Sequence, residues 1–173
     1  AEWQGKHIEI AFDGVYMNCT VWANGQKLGN RPYGWSSFSY DISELAQDSK
    51  TIAFAVRVDN EKQPSARWYT GSGIYAHTWI DVKHHTHIPS DGIFIRTKGS
   101  TVHIDTTVVN TAHGNAKPEL KLSIIDVGGN VVARTQTDVT MTAGETQSTS
   151  QQIILANPQR WSPESPTLYT AIS

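Results

Sequence analysis

Apolar and polar residues alternate with a period of two along most of this chain, and that period marks an extended strand with one dry face. Between Thr51 and Val58, the residues Ile52, Phe54, Val56 and Val58 share one side, with Thr51, Ala53, Ala55 and Arg57 opposite. Shorter runs at His7–Phe12 and Cys19–Trp22 predict strands. Asn24-Gly25 follows, and both residues tolerate the positive φ of a type I′ turn. This predicts a tight hairpin with Gln26–Leu28 as the return strand. Ser37–Tyr40 predicts another strand, and Asp41–Leu45 a single helical turn capped by Asp41 or Ser43. The strand pattern resumes from Gly73 to Val82.

The stretch Lys83-His84-His85-Thr86-His87-Ile88-Pro89-Ser90-Asp91-Gly92 is polar and broken by proline and glycine, so a domain boundary is expected there. Beyond it the alternation is cleaner. Val102, Ile104, Thr106 and Val108 alternate with His103, Asp105, Thr107 and Val109, and Leu120, Leu122 and Ile124 alternate with Lys121, Ser123 and Ile125. Gly128-Gly129-Asn130 leads into a strand over Val131–Met141, and Ala143-Gly144-Glu145 turns into another over Thr146–Leu155. Prolines 163 and 166 bend the tail before a last strand begins. Strands of this length joined by short turns predict an antiparallel sandwich. No Cys-Trp-Cys arrangement is present, so the sandwich is only broadly immunoglobulin-like.

Composition narrows the function. Lys plus Arg total 14 and Asp plus Glu total 16, a net charge of -2. A chain so balanced has no general attraction to phosphate backbones, and nucleic acid is not an expected partner. No apolar run is long enough to span a bilayer. Cys19 is the only cysteine and reads as a small core residue. Trp3, Trp22 and Trp79 are also expected in the core.

No set of catalytic groups stands out. Most of the first-half acids Asp13, Asp41, Asp59, Glu61, Asp81 and Asp91 flank strand ends or turns, where carboxylates commonly cap backbone amides. Asp59 is the least ordinary, since Asp59-Asn60 closes the strongest strand. Gly71-Ser72-Gly73 is no nucleophile elbow, and glycine-rich phosphate motifs are absent. His84, His85 and His87 lie close together, but a strand sends neighbours to opposite faces and no second cluster completes a zinc site. No metal site and no catalytic residue are therefore expected.

The aromatic content carries more. Sugar rings stack their C–H faces on indole and phenol rings, while arginine and amides bond to hydroxyls. Tyr33, Trp35, Arg67, Trp68 and Tyr69 are of these types, and packing against a neighbouring domain is the competing use of the last two.

These segments resemble glycoside hydrolase family 2, in the bacterial β-galactosidase type. The matching stretches are Phe12-Asp13-Gly14-Val15-Tyr16-Met17-Asn18, Thr20–Gln26, Arg31-Pro32-Tyr33-Gly34-Trp35-Ser36-Ser37-Phe38 and Val56-Arg57-Val58-Asp59-Asn60. The most specific is Ser65-Ala66-Arg67-Trp68-Tyr69-Thr70-Gly71-Ser72-Gly73-Ile74-Tyr75, and Asn157–Pro163 with Pro166–Tyr169 matches the end of the family's first sandwich domain. The resemblance implies an all-β chain. Residues 1–84 would be the C-terminal part of a galactose-binding-like jelly roll, and residues 88–173 an immunoglobulin-like β-sandwich. It implies Asp59, Arg67, Trp68 and Tyr69 as candidates for the substrate rim. It places the two catalytic glutamates on a barrel outside this chain, so this chain alone is expected to be inactive. Where many relatives carry arginine after Gly-Ile-Tyr, this chain has Ala76.

The implied partners are carbohydrate, the preceding jelly-roll strands and the following catalytic barrel; homo-oligomerisation is open. No cofactor is expected in this chain, with Mg or Na the candidates for a full enzyme. Bacterial cytoplasm, periplasm and secretion all remain open. Two other readings stand beside this one: an independent carbohydrate-binding module, and a two-sandwich structural protein.

Overall fold

The computed structural model describes residues 3–62 and 70–173. The chain divides into two compact units, Ala1–His84 and His85–Ser173. The architecture is all-β, with several antiparallel sheets of the jelly-roll and immunoglobulin-like kind and no long helix among the described residues.

The first unit contains β1 (His7–Phe12), β2 (Val15–Tyr16), β3 (Cys19–Ala23), β4 (Gln26–Arg31), β5 (Phe38–Asp41), α1 (Ser43–Asp48), β6 (Phe54–Arg57), β7 (Gly73–Ile74) and β8 (Thr78–Lys83). They pair as β5-β1-β8, β4-β3-β6 and β2-β7. Asn24 and Gly25 take φ of 48° and 81°, the left-handed pair that a two-residue hairpin requires. The return strand runs on to Arg31 rather than stopping at Leu28.

The helix also exceeds its expected length. Ile42, not Asp41 or Ser43, occupies the N-cap position. Asp41 Oδ1 still accepts the Ser43 N–H at 2.8 Å, while Ser43 Oγ accepts the Ile8 N–H at 2.9 Å and ties the helix to β1.

The core of this unit is Ile8, Ile10, Phe12, Val15, Cys19, Val21 and Ile42, with Phe12 stacked on Phe38 at 5.1 Å. Burial pushes the Cys19 thiol pKa up, as befits a core side chain. The strand expected over Thr51–Val58 is regular only from Phe54 to Arg57. Its apolar face is half covered: Ile52, Val56 and Val58 pack on the core, but Phe54 does not.

An open cleft of about 980 Å³ lies there, lined by Trp3, Ile8, Ile42, Ile52, Phe54 and Ile80 among others. Ile80 and Val82 stand opposite Ile10 and Ile8 on the core face of β8, yet remain 38% and 36% exposed. Trp3 and Trp79, expected in the core, are each about half exposed. Trp22 is half-buried. Trp3 borders the cleft, and Trp79 lies opposite Ala11 on the other face of the sheet, where its indole N–H donates to Asp13 at 2.8 Å.

That outer face is polar. His7 pairs with Lys83, and Glu9 with Asp41 and Asp81, so Asp81 lies within a strand rather than at its end. Burial of Glu9 opposes its ionisation. Hydrogen bonds from His7 and Lys83, the latter at 3.0 Å, outweigh this and hold its pKa below the usual carboxylate value.

The second unit contains β9 (Thr86–His87), β10 (Ile93–Lys98), β11 (Thr101–Asn110), β12 (Glu119–Ile125), β13 (Val131–Asp138), β14 (Thr146–Ile154) and β15 (Thr170–Ile172). β10-β11-β14 form one sheet with β9 beside β11, and β13-β12-β15 form another. The expected alternation is realised: Val102, Ile104, Thr106 and Val108 are buried, as are Leu120, Leu122 and Ile124.

The polar stretch 83–92 is more than a connector. Its β9 pairs with Val109 and Asn110, and the Thr86 hydroxyl donates to Asn110 Oδ1 at 3.2 Å. Asn110 is fully buried, and its amide donates to the Gly114 and Thr142 carbonyls at 2.9 and 2.8 Å. β10 has no counterpart in the sequence reading. All six of its residues are exposed, and Arg96 lies over the Phe94 ring while pairing with Asp105 at 2.7 Å.

A half-open apolar face leaves backbone amides of the first unit nearer to water. Amide hydrogen exchange on the chain should show weaker protection over β1, β3 and β8 than over β11, β12 and β14. Equal protection in a monomer would contradict this.

Glu9 gives a pH dependence. Its folded pKa is depressed, so its stabilising contribution is present above the unfolded value of about 4.5 and is lost as pH falls through the folded value. Glu9→Gln should flatten the acid limb of the first unit's unfolding curve below that pH. An unchanged acid limb would show that other carboxylates set it.

Candidate functional site

The loops that leave β1, β4 and β6 meet at one end of the first unit, and glycines decide how closely. A Cβ on Gly14 would lie 2.3 Å from the Tyr75 ring, and one on Gly34 would lie 2.5 Å from the Tyr16 ring. With no side chains in the way, Tyr75 lies against Gly14 and its hydroxyl donates to the Gly34 carbonyl at 2.8 Å. Trp35 is therefore flanked on two sides. Its ring centroid is 5.2 Å from Tyr16 and 5.6 Å from Tyr75. Both separations fall in the range where aromatic pairs attract beyond simple burial. Trp35 and Tyr75 remain about half exposed, and Tyr33 beside them is 61% exposed. The result is a packed aromatic surface, open to solvent at Tyr33, Trp35 and Tyr75.

Asp59 lies at the same end. Its N–H donates to the Met17 carbonyl at 3.2 Å, which anchors it beside Tyr16. Its carboxylate accepts the Glu61 N–H at 3.3 Å and lies 3.6 Å from the Arg57 guanidinium. The next residue, Asn60, donates to Ser72 Oγ at 2.9 Å and joins the two ends of the segment between them. Arg31 donates to Ser36 Oγ at 2.7 Å and braces the loop that carries Tyr33 and Trp35. Backbone pairing of Val15-Tyr16 with Gly73-Ile74 completes the frame.

Of the residues expected at a substrate rim, Asp59 is placed among these loops. Arg67, Trp68 and Tyr69 lie outside the described residues. Tyr33 and Trp35 come to the same end as Asp59. Sequence reasoning did not single out Tyr16 or Tyr75 as members of the group. The signal for them was Gly14 and Gly34, small residues beside aromatics where a larger side chain would clash.

Asp59 is bonded to its own loop and lies beside Arg57. Among the described residues, no three His, Cys, Asp or Glu side chains gather as a metal site. The three clustered histidines each have local partners. The Lys6 ammonium bonds to His84 at 3.1 Å, His85 Nδ1 is 3.2 Å from the Thr111 hydroxyl, and His87 pairs in β9. The arrangement suits stacking and hydrogen bonding.

Beta-galactosidase BoGH2A of Bacteroides ovatus is 38% identical over 98% of this chain, which spans 20% of that protein. A crystal structure of a glycosyl hydrolase family 2 member from Bacteroides cellulosilyticus matches with 34% identity and a TM-score of 0.89, over 98% of this chain and 24% of that one. A Bacteroides uniformis β-glucuronidase matches with 28% identity and a TM-score of 0.86, over 97% of this chain and 22% of that one. The chain thus spans about a fifth of the length of the relatives it matches. The profile of Glycosyl hydrolases family 2 covers residues 81–173, more than half of the sequence. Together with the likeness to the Bacteroides proteins, which runs through both units, this match makes the chain a member of glycosyl hydrolases family 2.

Proposed function

We propose that this chain is a non-catalytic region of a retaining β-galactosidase that hydrolyses terminal β-D-galactosyl residues. It supplies scaffold and part of the active-site rim, while the catalytic glutamates belong to a barrel elsewhere in the enzyme. One observation carries this reading: the packed aromatic group of Tyr16, Trp35 and Tyr75, open to solvent at Trp35 and Tyr75, at the same end of the unit as Asp59. Rigid aromatic faces with adjacent polar groups suit the alternating apolar and hydroxyl surfaces of a sugar. Asp59 would accept from sugar hydroxyls, and Arg67, Trp68 and Tyr69 would extend the rim. The named activity of the Bacteroides ovatus relative is the support for galactose, and the β-glucuronidases among the relatives make glucuronides the competing substrate.

The same reading assigns residues 1–84 to the later part of a galactose-binding-like jelly roll and residues 88–173 to an immunoglobulin-like sandwich. The cleft bordered by Trp3, Phe54 and Ile80 supports it, because further strands of a jelly roll would cover that face. It also weighs against an independent carbohydrate-binding module, which needs a closed core of its own.

Isothermal calorimetry and a chromogenic β-galactoside assay on the chain test the division of labour. The expected outcome is no turnover, with galactose or lactose bound at millimolar strength or not at all. Micromolar binding would favour the module, and hydrolysis by rigorously purified chain would remove the proposal.

In the longer enzyme, Trp35→Ala should lower kcat/KM for a β-galactoside about tenfold, ~1.4 kcal/mol of transition-state binding. Trp79→Ala is the control, since that indole is equally exposed but outside the aromatic group. Equal effects of the two substitutions would argue that Trp35 serves only to pack.

A further inference from the structure

The core of the second unit is not one apolar body. Val102, Ile104, Leu122, Ile124, Ile153 and Leu155 form one cluster, and Val108, Leu120, Val139 and Met141 form another. Between them the inward face of the β11–β14 pair is polar. Thr106 is fully buried and Gln151 is 5% exposed. The register sets Ile104 opposite Gln151, Thr106 opposite Thr149 and Val108 opposite Gln147. Thr106 is therefore flanked diagonally by the two glutamines, at the ~7–8 Å spacing of such neighbours.

The Gln151 amide has one settled end. Its Nε2 donates to Thr137 Oγ1 at 3.0 Å and to the Leu120 carbonyl at 3.4 Å, and a carbonyl can only accept. That fixes its Oε1 on the other side. Gln151 Oε1, Gln147 Oε1 and Thr106 Oγ1 are all buried and none has a hydrogen-bond partner. Buried oxygens in this state are costly, and native interiors satisfy nearly all of them.

We infer that the second unit binds structural water within its core, at a site bounded by Thr106 Oγ1, Gln147 Oε1 and Gln151 Oε1. The chemistry of the three atoms selects the ligand. Two amide oxygens need donors, the hydroxyl has a proton to give, and none of the three carries a charge that would call for an ion. Gln147 and Gln151 stand four residues apart on β14, about 13 Å along the strand, so the site takes a water beside each, with Thr106 Oγ1 between them donating to one and accepting from the other. Thr135 and Thr137 on β13 and Gln147 and Thr149 on β14 are half-buried. Its role is to hold register. Slipping β14 by one residue would withdraw both glutamines from the interior and turn Ser148 and Ser150 inward in their place.

Water–protein NMR cross-relaxation on the chain, with a high-resolution crystal structure, tests the site. The expected result is a long-lived water contact at the Thr106 methyl and the Gln151 side-chain amide, with density in hydrogen-bonding range of Thr106 Oγ1 and at least one glutamine oxygen. Thr106→Val keeps the shape but removes the hydroxyl, and should abolish or strongly weaken the contact at Gln151. Thr106→Ser should retain it. Absence of both contact and density in the unsubstituted chain would overturn the inference, whatever the variants do. Direct bonding of the glutamines to protein groups, or an undiminished contact in folded Thr106→Val, would overturn it as well.

Discussion

A strand has two faces, and a sheet is stable in water when one of them is dry. That single requirement orders both units. In the second it is met: β11 and β12 turn Val102, Ile104, Leu122 and Ile124 toward each other, and the two sheets close over them. In the first it is met only in part. β1 is covered by Phe38, Tyr40 and the β3 strand, while its neighbour β8 keeps Ile80 and Val82 open to solvent. The polar outer face, with Glu9 between His7 and Lys83, shows that β8 faces the core with the correct side. What it lacks is material to pack against, not pattern.

Much of this was legible because it is local. His7–Phe12, the Asn24-Gly25 turn and the long alternation from Val102 to Val108 each state their conformation within a few residues. β10 was missed because all six of its residues are exposed, so no buried face imposes an alternation to read. Trp3 and Trp79 were misjudged for a related reason. Periodicity tells which side of a strand a residue occupies, but not whether anything lies over that side. The pairing of Thr86-His87 with β11 was hidden by the polarity of its surroundings, since backbone bonds leave no mark on composition.

The candidate site was legible in its chemistry rather than its assembly. Tyr33, Trp35 and Asp59 could be picked as residue types, and the resemblance added Arg67, Trp68 and Tyr69. The grouping of Tyr16, Trp35 and Tyr75 is non-local. It depends on residues 19 to 59 positions apart, Tyr16 to Trp35 and Tyr16 to Tyr75, that meet where two glycines leave room. Such a meeting is a tertiary fact, and only its permissive condition, the missing Cβ, is written in the sequence.

The isolation of Cys19 has a practical side. It is the sole thiol of the chain, sits on β3 with no exposed surface, and belongs wholly to the first unit. An alkylating reagent can reach it only when that unit breathes, so its labelling rate is a built-in clock for opening events there. Nothing comparable ticks in the other half, so the label times the first unit alone and needs no foreign probe to do it.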